Sequence, residues 1–316
     1  MYAVLVLRQY GLILMNVLRH TKVINFVAIE LKKQQQSIEM PIITLTTDFG
    51  TKDPYVSAVK GAIYSEIEQA TIVDISNEIK PFNITEAAYV LKIAYSKFPK
   101  GTIHIVTINA EETINNKHIV ACVNEHFFIC ADNGLLSLIF DQAQPDQVIH
   151  LSNVINEPSN FSTLDRFVKA ACKLCLGTRI DELGGPVTTL NELSLLNATI
   201  NEDQTQISGN IIYIDHYGNI VTSITRAVFN RIARGRSIEI VARTYSFHKI
   251  YESYPEFINE KISKGITNAE GERLAMFNSA GYLQIAIFKG SRQRGGTAFS
   301  LLGLYPETTT ITVYFK

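Results

Sequence analysis

From Pro41 onward the apolar positions fall into short extended runs separated by helical stripes. Pro41-Ile42-Ile43-Thr44 opens the series as a buried strand, which ends where Leu45-Thr46-Thr47-Asp48-Phe49-Gly50 brings the chain to a turn. Val56, Val59, Ile63 and Ile67 then recur at helical spacing, with Gly61 among them as a point of close approach to a neighbour or ligand. A second strand covers 71–76. Asn83, with Glu86 three residues on, reads as the start of a second helix, whose stripe of Ala87, Val90, Leu91, Ala94 and Phe98 runs to the stop at Pro99. A third strand covers 102–108. Strand, helix, strand, helix, strand predicts a doubly wound, mainly parallel sheet of the α/β class.

Beyond Lys117 the pattern becomes a hairpin, 118–123 and 126–130, joined through Asn124-Glu125 and closed by the turn signature Ala131-Asp132-Asn133-Gly134. A helix covers 163–176 and stops at Gly177, and a Gly184-Gly185-Pro186 turn leads into a polar connection. After it the chain carries seven strand-like runs, at 207–215, 220–224, 237–242, 246–251, 273–277, 282–288 and 310–315, with one short helix at 227–233. The expected organisation is a leader at 1–39, an N-terminal α/β domain at 40–190, a linker at 191–205 and a smaller C-terminal β-barrel domain at 206–316.

Composition changes this picture little. A chain of 316 residues, 46% hydrophobic and 19% charged, is long enough for two cores. Its net charge of -1 offers no electrostatic footprint for nucleic acid, so a small-molecule partner is expected. Residues 1–18 are apolar but broken by Arg8 and Gly11, which argues against a membrane span, and Met40 directly precedes the first strand as a natural start. The four cysteines fit a reducing, cytoplasmic setting. Cys172 and Cys175 form a CxxC, yet they share an apolar helical stripe with Leu164, Phe167, Val168 and Ala171, and no second pair completes a zinc ribbon. No metal site is expected.

The candidate chemistry starts at Asp48. A carboxylate at the carboxyl end of a first strand stands where open α/β sheets bind ligands, and there it accepts hydrogen bonds from ribose hydroxyls. Asp53, directly before Pro54, is the better cap for the next helix, which leaves Asp48 free. In the second half, Asp215-His216-Tyr217-Gly218-Asn219 and Asn278-Ser279-Ala280-Gly281-Tyr282 each gather an aromatic ring, small residues and polar side chains on one tight loop. Such loops suit an adenine or an amino acid head, or are plain hairpin turns.

These two loops, together with Thr46-Thr47-Asp48-Phe49-Gly50, Val59-Lys60-Gly61, Val73-Asp74-Ile75, Pro81-Phe82-Asn83-Ile84, Phe98-Pro99-Lys100-Gly101-Thr102 and Ala131-Asp132-Asn133-Gly134-Leu135-Leu136, occur in an order that resembles the S-adenosyl-L-methionine hydroxide adenosyltransferases. That family is also related to the fluorinase and chlorinase. The resemblance implies a homotrimer, with the nucleoside ligand between the N-terminal domain of one subunit and the C-terminal domain of the next. It places Asp48 on the ribose hydroxyls and Phe82 against the pocket wall, with Thr163 in the same region. Asp215 and Ser279 would hold the amino acid end, and Tyr217 and Asn219 would meet the adenine.

The implied reaction is attack of water or hydroxide on C5′ of S-adenosyl-L-methionine, giving adenosine and methionine. No cofactor is implied, because the sulfonium is itself a good leaving group. The hydrolytic members use an Asp, an Arg and a His to orient and deprotonate water. Here those positions read Asn109, Lys117 and Ser162, with Asn77 a further departure. An Asn takes no proton as a carboxylate does. Glu111, Glu112 and His118 stand nearby as substitute bases, with Lys117 to stabilise hydroxide, or they are charges on a surface loop. Two other readings stay open: halide transfer, for which Ser162 and Thr163 provide small hydroxyl side chains, and a nucleoside-binding protein without turnover. Methyl transfer is disfavoured, since no Gly-rich loop follows the first strand.

Overall fold

The run Ile43–Thr46 forms strand β1, and all four of its side chains are buried. The structure, a computed structural model, describes residues 41–140, 145–154, 160–193, 197–291, 293, 295–306 and 308–316, so the expected leader lies outside it. Strand β2 is Ile72–Ser76, β3 is Ile103–Val106, β4 is His118–Val123, β5 is His126–Ala131 and β6 is Gln147–His150. They form one sheet in the order β2-β1-β3-β5-β4-β6. The pairs β1/β2, β1/β3 and β3/β5 are parallel, and β4 joins β5 and β6 antiparallel. The sheet is therefore mainly parallel with an antiparallel edge.

Helix α1 (Tyr55–Glu66) links β1 to β2, and α2 (Ile84–Ala94) links β2 to β3. The chain leaves β1 on one side and returns on the other, so the switch point lies between β1 and β3. Their carboxyl ends bound a crevice there. Helix α2 starts as its sequence predicts: the Asn83 side chain accepts the Glu86 N–H at 3.0 Å, and its amide donates to Glu86. The hairpin also forms, with Asn124 and Glu125 both at positive φ (52° and 64°), the two-residue turn that matches strand twist. Helix α3 (Leu135–Phe140) follows.

Two local expectations, the Asp53 cap and the Gly184-Gly185-Pro186 turn, fail. Asp53 does not cap α1: Pro54 occupies the cap position, and no side chain bonds the first turn. Proline at the cap orients the chain through its fixed φ, so no carboxylate is needed there. Gly61 has open space where a Cβ would stand, with nothing within 4 Å among the described residues. The Gly184-Gly185-Pro186 segment is not a turn. It runs alongside β6, with His150 N–H donating to Gly185 at 2.8 Å and Val187 N–H to Val148 at 2.9 Å, and Ile149 bridging Pro186 antiparallel. Gly184 is extended and lies directly over the His150 carbonyl, an approach that only a residue without Cβ permits.

One polar column crosses the first sheet. Thr44, His104 and Phe128 are cross-strand partners on β1, β3 and β5. His104 is fully buried. Its Nδ1 lies 2.7 Å from Thr44 Oγ1 and its Nε2 3.2 Å from His126 Nδ1. Tyr95, Phe98 and Phe128 pack around the ring.

The second sheet comprises β7 (Thr199–Ile200), β8 (Gln206–Ile214), β9 (Ile220–Thr225), β10 (Ile238–Ala242), β11 (Tyr245–Phe247), β12 (Ile250–Tyr251), β13 (Arg273–Phe277), β14 (Tyr282–Ile287) and β15 (Thr310–Phe315). Its path is β11-β10-β15-β8-β9-β14-β13-β12, with β7 beside β8. The two ends of this path are neighbours in sequence, which makes the sheet a nearly closed barrel around Ile207, Ile240, Leu283 and Val313. Helix α5 (Arg226–Ala233) was expected, but two more occur: α6 (Tyr254–Ser263) and α7 (Ala298–Leu302). The start of α6 is written in the sequence, since Ser253 accepts the Glu256 N–H with Pro255 in the first turn.

Tyr89 of α2 fastens the barrel to the first sheet. Its ring packs at 4.8 Å against Tyr213, tilted by 31°, and meets Tyr282 edge-on at 5.5 Å, while its hydroxyl accepts from Asn278 Nδ2 at 3.1 Å. Burial pushes the Tyr89 hydroxyl pKa up to about 12, so it stays protonated. The apolar core continues across this contact, from Ala87 and Leu91 to Ile212, Val221 and Tyr282.

Candidate active site

Asp48 follows β1 at the switch point, as its place in the sequence predicts, and its Oδ2 accepts the Phe82 N–H at 2.9 Å. Phe82 stands at positive φ (62°) and is 71% exposed. A bulky residue in the left-handed region is strained, and the carboxylate that holds its N–H is what stabilises it there. Asp48 thus has one oxygen turned to the protein. Beneath it, Thr47 Oγ1 donates to Asn77 Oδ1 at 3.0 Å, which fixes the strand end from below.

The end of β3 provides the opposite rim. Asn109 is exposed and takes φ 48°, which Asn tolerates better than most residues. Its carbonyl accepts from Asn116 Nδ2 at 3.0 Å and Asn133 Nδ2 at 3.3 Å, so Ala131-Asp132-Asn133-Gly134 braces this loop. Asp132 is in turn bonded by the Asn191 N–H at 2.9 Å. Asn116, Asn133 and Asn191 support the rim, and their role is set by loops that meet only in the fold.

Ser162 and Thr163 begin the helix expected at 163–176, but its first turn is π-helical. Thr163–Phe167 opens with the Val168 N–H bonded back to the Thr163 carbonyl, and α4 (Val168–Cys175) continues as an ordinary α-helix. Cys172 and Cys175 are buried thiols on that helix, with pKa values pushed by burial to about 12 and about 11. Phe161, just before the π-turn, joins Phe49 and Tyr55 in an edge-on triangle with centroids 5.5–5.7 Å apart. Through it the segment after β1 touches the start of the π-turn.

Lys117 is exposed on the loop, whereas its neighbour His118 is fully buried. His118 Nε2 lies 2.8 Å from the Ala110 carbonyl and therefore carries the proton, leaving Nδ1 as an acceptor 3.4 Å from Arg166 Nη1. The same Nη1 donates to Glu112 at 2.6 Å. Burial lowers the His118 pKa, the Arg166 charge adds to that, and Glu112 and the Ala110 carbonyl oppose it. Sequence reasoning named Glu112 and His118 but missed Arg166. Its advance signal was an arginine one helical turn after Ser162, between Asp165 and the apolar Phe167-Val168.

The barrel loops form a second group. Asp215 accepts the Asn219 N–H and its side-chain amide, both at 2.9 Å, so the two residues hold each other. Gly218 (φ 75°) closes the loop against Thr297, whose side chain a Cβ would overlap. Tyr217 projects from this loop with 71% exposure. Ser279 sits exposed on a turn tied by Asn278 Oδ1 to the N–H groups of Ala280 and Tyr282, both at 3.0 Å. Gly218→Ala is expected to cost about 1–2 kcal/mol, read as a lower thermal midpoint, because it adds backbone strain to overlap. An unchanged midpoint would mean that Thr297 gives way freely.

Among the described residues, no hydrogen bond or ion pair joins the Asp48 group to the Asp215 group. A groove of about 1420 Å³ between α3, β6 and α5 contains none of these side chains. The strained backbone at Phe82 and Asn109, and the ion pair of Arg166 with the more exposed Glu112, lie instead near the ends of β1 and β3.

Both halves of the chain match known protein domains. The profile of the SAM hydroxide adenosyltransferase N-terminal domain matches residues 43–184, and that of the C-terminal domain matches 209–310. The (R)-S-adenosyl-L-methionine hydrolase of Methanocaldococcus jannaschii is 28% identical over 259 residues, covering 79% of this chain and 89% of the relative. That of Thermus thermophilus is 25% identical over 256 residues, covering 78% and 91%. A fluorinase of Actinopolyspora mzabensis is 21% identical over 282 residues, covering 79% and 91%. An uncharacterized conserved protein from Thermotoga maritima has the same fold, with a TM-score of 0.73 at 23% identity over 86% of this chain and all of its own. With both of its domain profiles matched in order across most of the chain, this protein belongs to the SAM hydroxide adenosyltransferase family.

Proposed function

We propose that this protein binds S-adenosyl-L-methionine and hydrolyses it at C5′ to adenosine and methionine. The observation that carries the reading is Asp48, a carboxylate at the switch point of a chain whose two domains both belong to this family. Its free oxygen accepts the ribose hydroxyls, which fixes C5′ for in-line attack. Phe82 shields the same side. The Asp215 and Ser279 loops take the amino acid end, and Tyr217 with Asn219 takes the adenine.

Two exposed aromatic rings, Phe82 and Tyr217, stand on separate domains of one chain. This favours a pocket completed between copies, and we place the ligand between the first domain of one protomer and the barrel of another in a homotrimer. The chemistry draws on no cofactor, because the sulfonium carries the bond pair away. Among the described residues no helix is long and apolar enough to cross a membrane.

The test is incubation of the full-length chain with S-adenosyl-L-methionine, with and without chloride, while adenosine and 5′-chloro-adenosine are separated by chromatography beside a binding isotherm. Adenosine release without chloride dependence is the expected result. A chlorinated product would instead mark a halogenase, and tight binding without product a nucleoside-binding protein. Asp48→Ala is expected to weaken binding by more than tenfold, about 1.4 kcal/mol. Equal affinity for S-adenosyl-L-methionine in that variant would move the ribose elsewhere.

A further inference from the structure

Glu112, His118 and Arg166 come from three separate segments and meet at one point, and Arg166 has no role in the ligand contacts described so far. Its side chain is 11% exposed. A guanidinium so deeply placed is costly unless its N–H groups meet acceptors. Nη1 meets Glu112 and His118, whereas Nε is buried with no acceptor among the described residues. Native structures leave few such atoms, and those that occur call for an explanation.

The other buried polar side-chain atoms without partners are Thr46 Oγ1, Thr107 Oγ1, Asn116 Oδ1 and His150 Nε2. Thr46 and Thr107 mark the ends of β1 and β3 at the switch point, and Asn116 braces Asn109. Thr46 and Thr107 thus leave unmet hydrogen-bonding capacity at the crevice itself, as expected where a small polar guest belongs, whereas His150 lies away from it on β6. Arg166 is also bracketed by the three positions that replace the family's Asp, Arg and His. It lies one turn after Ser162, it contacts the imidazole next to Lys117, and its ion-pair partner is three residues past Asn109.

We propose that Arg166 is a catalytic residue: its Nε–H binds the oxygen nucleophile as hydroxide, and Glu112 and His118 are positioning residues that fix the plane of the guanidinium. The inference rests on the hydrolytic reading above. In the step itself the hydroxide oxygen bonds to C5′ as the C5′–S bond breaks. The bond pair passes to sulfur, so adenosine and methionine leave with no proton to be removed. A guanidinium that favours hydroxide over water takes the place of a base, in keeping with Asn109 and Ser162 having no basic side chain. His118 contributes by remaining neutral. Its Nε2–H is committed to Ala110, and its Nδ1 lone pair steadies Nη1.

The test compares the full-length protein with Arg166→Gln, Arg166→Lys and Arg166→Ala. Arg166→Gln is expected to keep the Kd for S-adenosyl-L-methionine within about threefold while lowering kcat about 100-fold. The alkaline rise of its rate should move to higher pH, Arg166→Lys should recover part of the rate, and added guanidinium ion should restore turnover to Arg166→Ala. A kcat within about threefold of the parent in Arg166→Gln would overturn the assignment. So would parallel loss of binding, thermal midpoint and rate with no rescue by guanidinium. Should the parent release no adenosine, the hydrolytic reading fails, and chloride line broadening by NMR still judges Arg166 as an anion donor. Broadening lost in Arg166→Gln supports it, and broadening equal in both proteins overturns it.

Discussion

Acidification from pH 7 to pH 4 is expected to remove about 3 kcal/mol of folding stability through a single imidazole, His104. Its pKa is lowered from 6.5 to about 3, chiefly by burial and secondarily by His126. Between those values the unfolded chain binds the proton and the folded chain refuses it. The contribution is therefore intact above pH 6.5, falls as pH drops, and is exhausted below pH 3. The hydrogen bonds are consistent with a neutral ring: Thr44 Oγ1–H donates to Nδ1, and Nε2–H donates to His126 Nδ1. Urea unfolding at a series of pH values reads the loss, and His104→Met isolates it from the carboxylates. The variant should show a shallower acid limb than the parent. If both limbs have the same slope, His104 titrates normally and is not sealed within the sheet.

Gly184→Ala is the substitution expected to damage the fold most, by roughly 3 kcal/mol or more. A Cβ there would fall on the His150 carbonyl and crowd Ser152, and both are held by the backbone. The Ser152 hydroxyl can turn away, but the His150 carbonyl and the Ser152 N–H are backbone and cannot. Relief requires the segment to peel from β6, which breaks the His150 to Gly185 and Val187 to Val148 hydrogen bonds. A thermal melt of the variant checks this, with Gly61→Ala as the contrast. That helical position has open space and should gain about 0.5–1 kcal/mol. Equal midpoints for the two variants would show that the edge beside β6 is loose.

The sequence was most legible where local chemistry dictates the outcome. A buried run that ends at Asp48 had one natural place in an α/β sheet, Asn83 with Glu86 spelled a helix start, and Asn124-Glu125 spelled a two-residue turn. It was least legible where the fold assigns partners. Glycine and proline punctuate turns in general, yet Gly184-Gly185-Pro186 serves as an extended edge because β6 leaves unpaired groups beside it. Helix α6 went unread although Ser253, Pro255 and Glu256 announce it, since strand-like runs on both sides dominated the pattern. Arg166 and Glu112 stand 54 residues apart, and no spacing rule links an arginine on a helix to a carboxylate on a loop at that distance.

The π-turn at Thr163–Phe167 bears on how such a site is remodelled over descent. A five-residue hydrogen-bonding step accommodates one residue more than an α-turn, as an inserted residue would require. Downstream, Val168, Ala171, Cys172 and Cys175 dock on the sheet in an unbroken register. Upstream stands the half-buried Ser162. Removing one residue from the turn would rotate the upstream part by about 100° about the helix axis and leave the docked helix where it is. The docked helix and the segment before it are thus on separate registers, so a change in the second leaves the packing of the first intact.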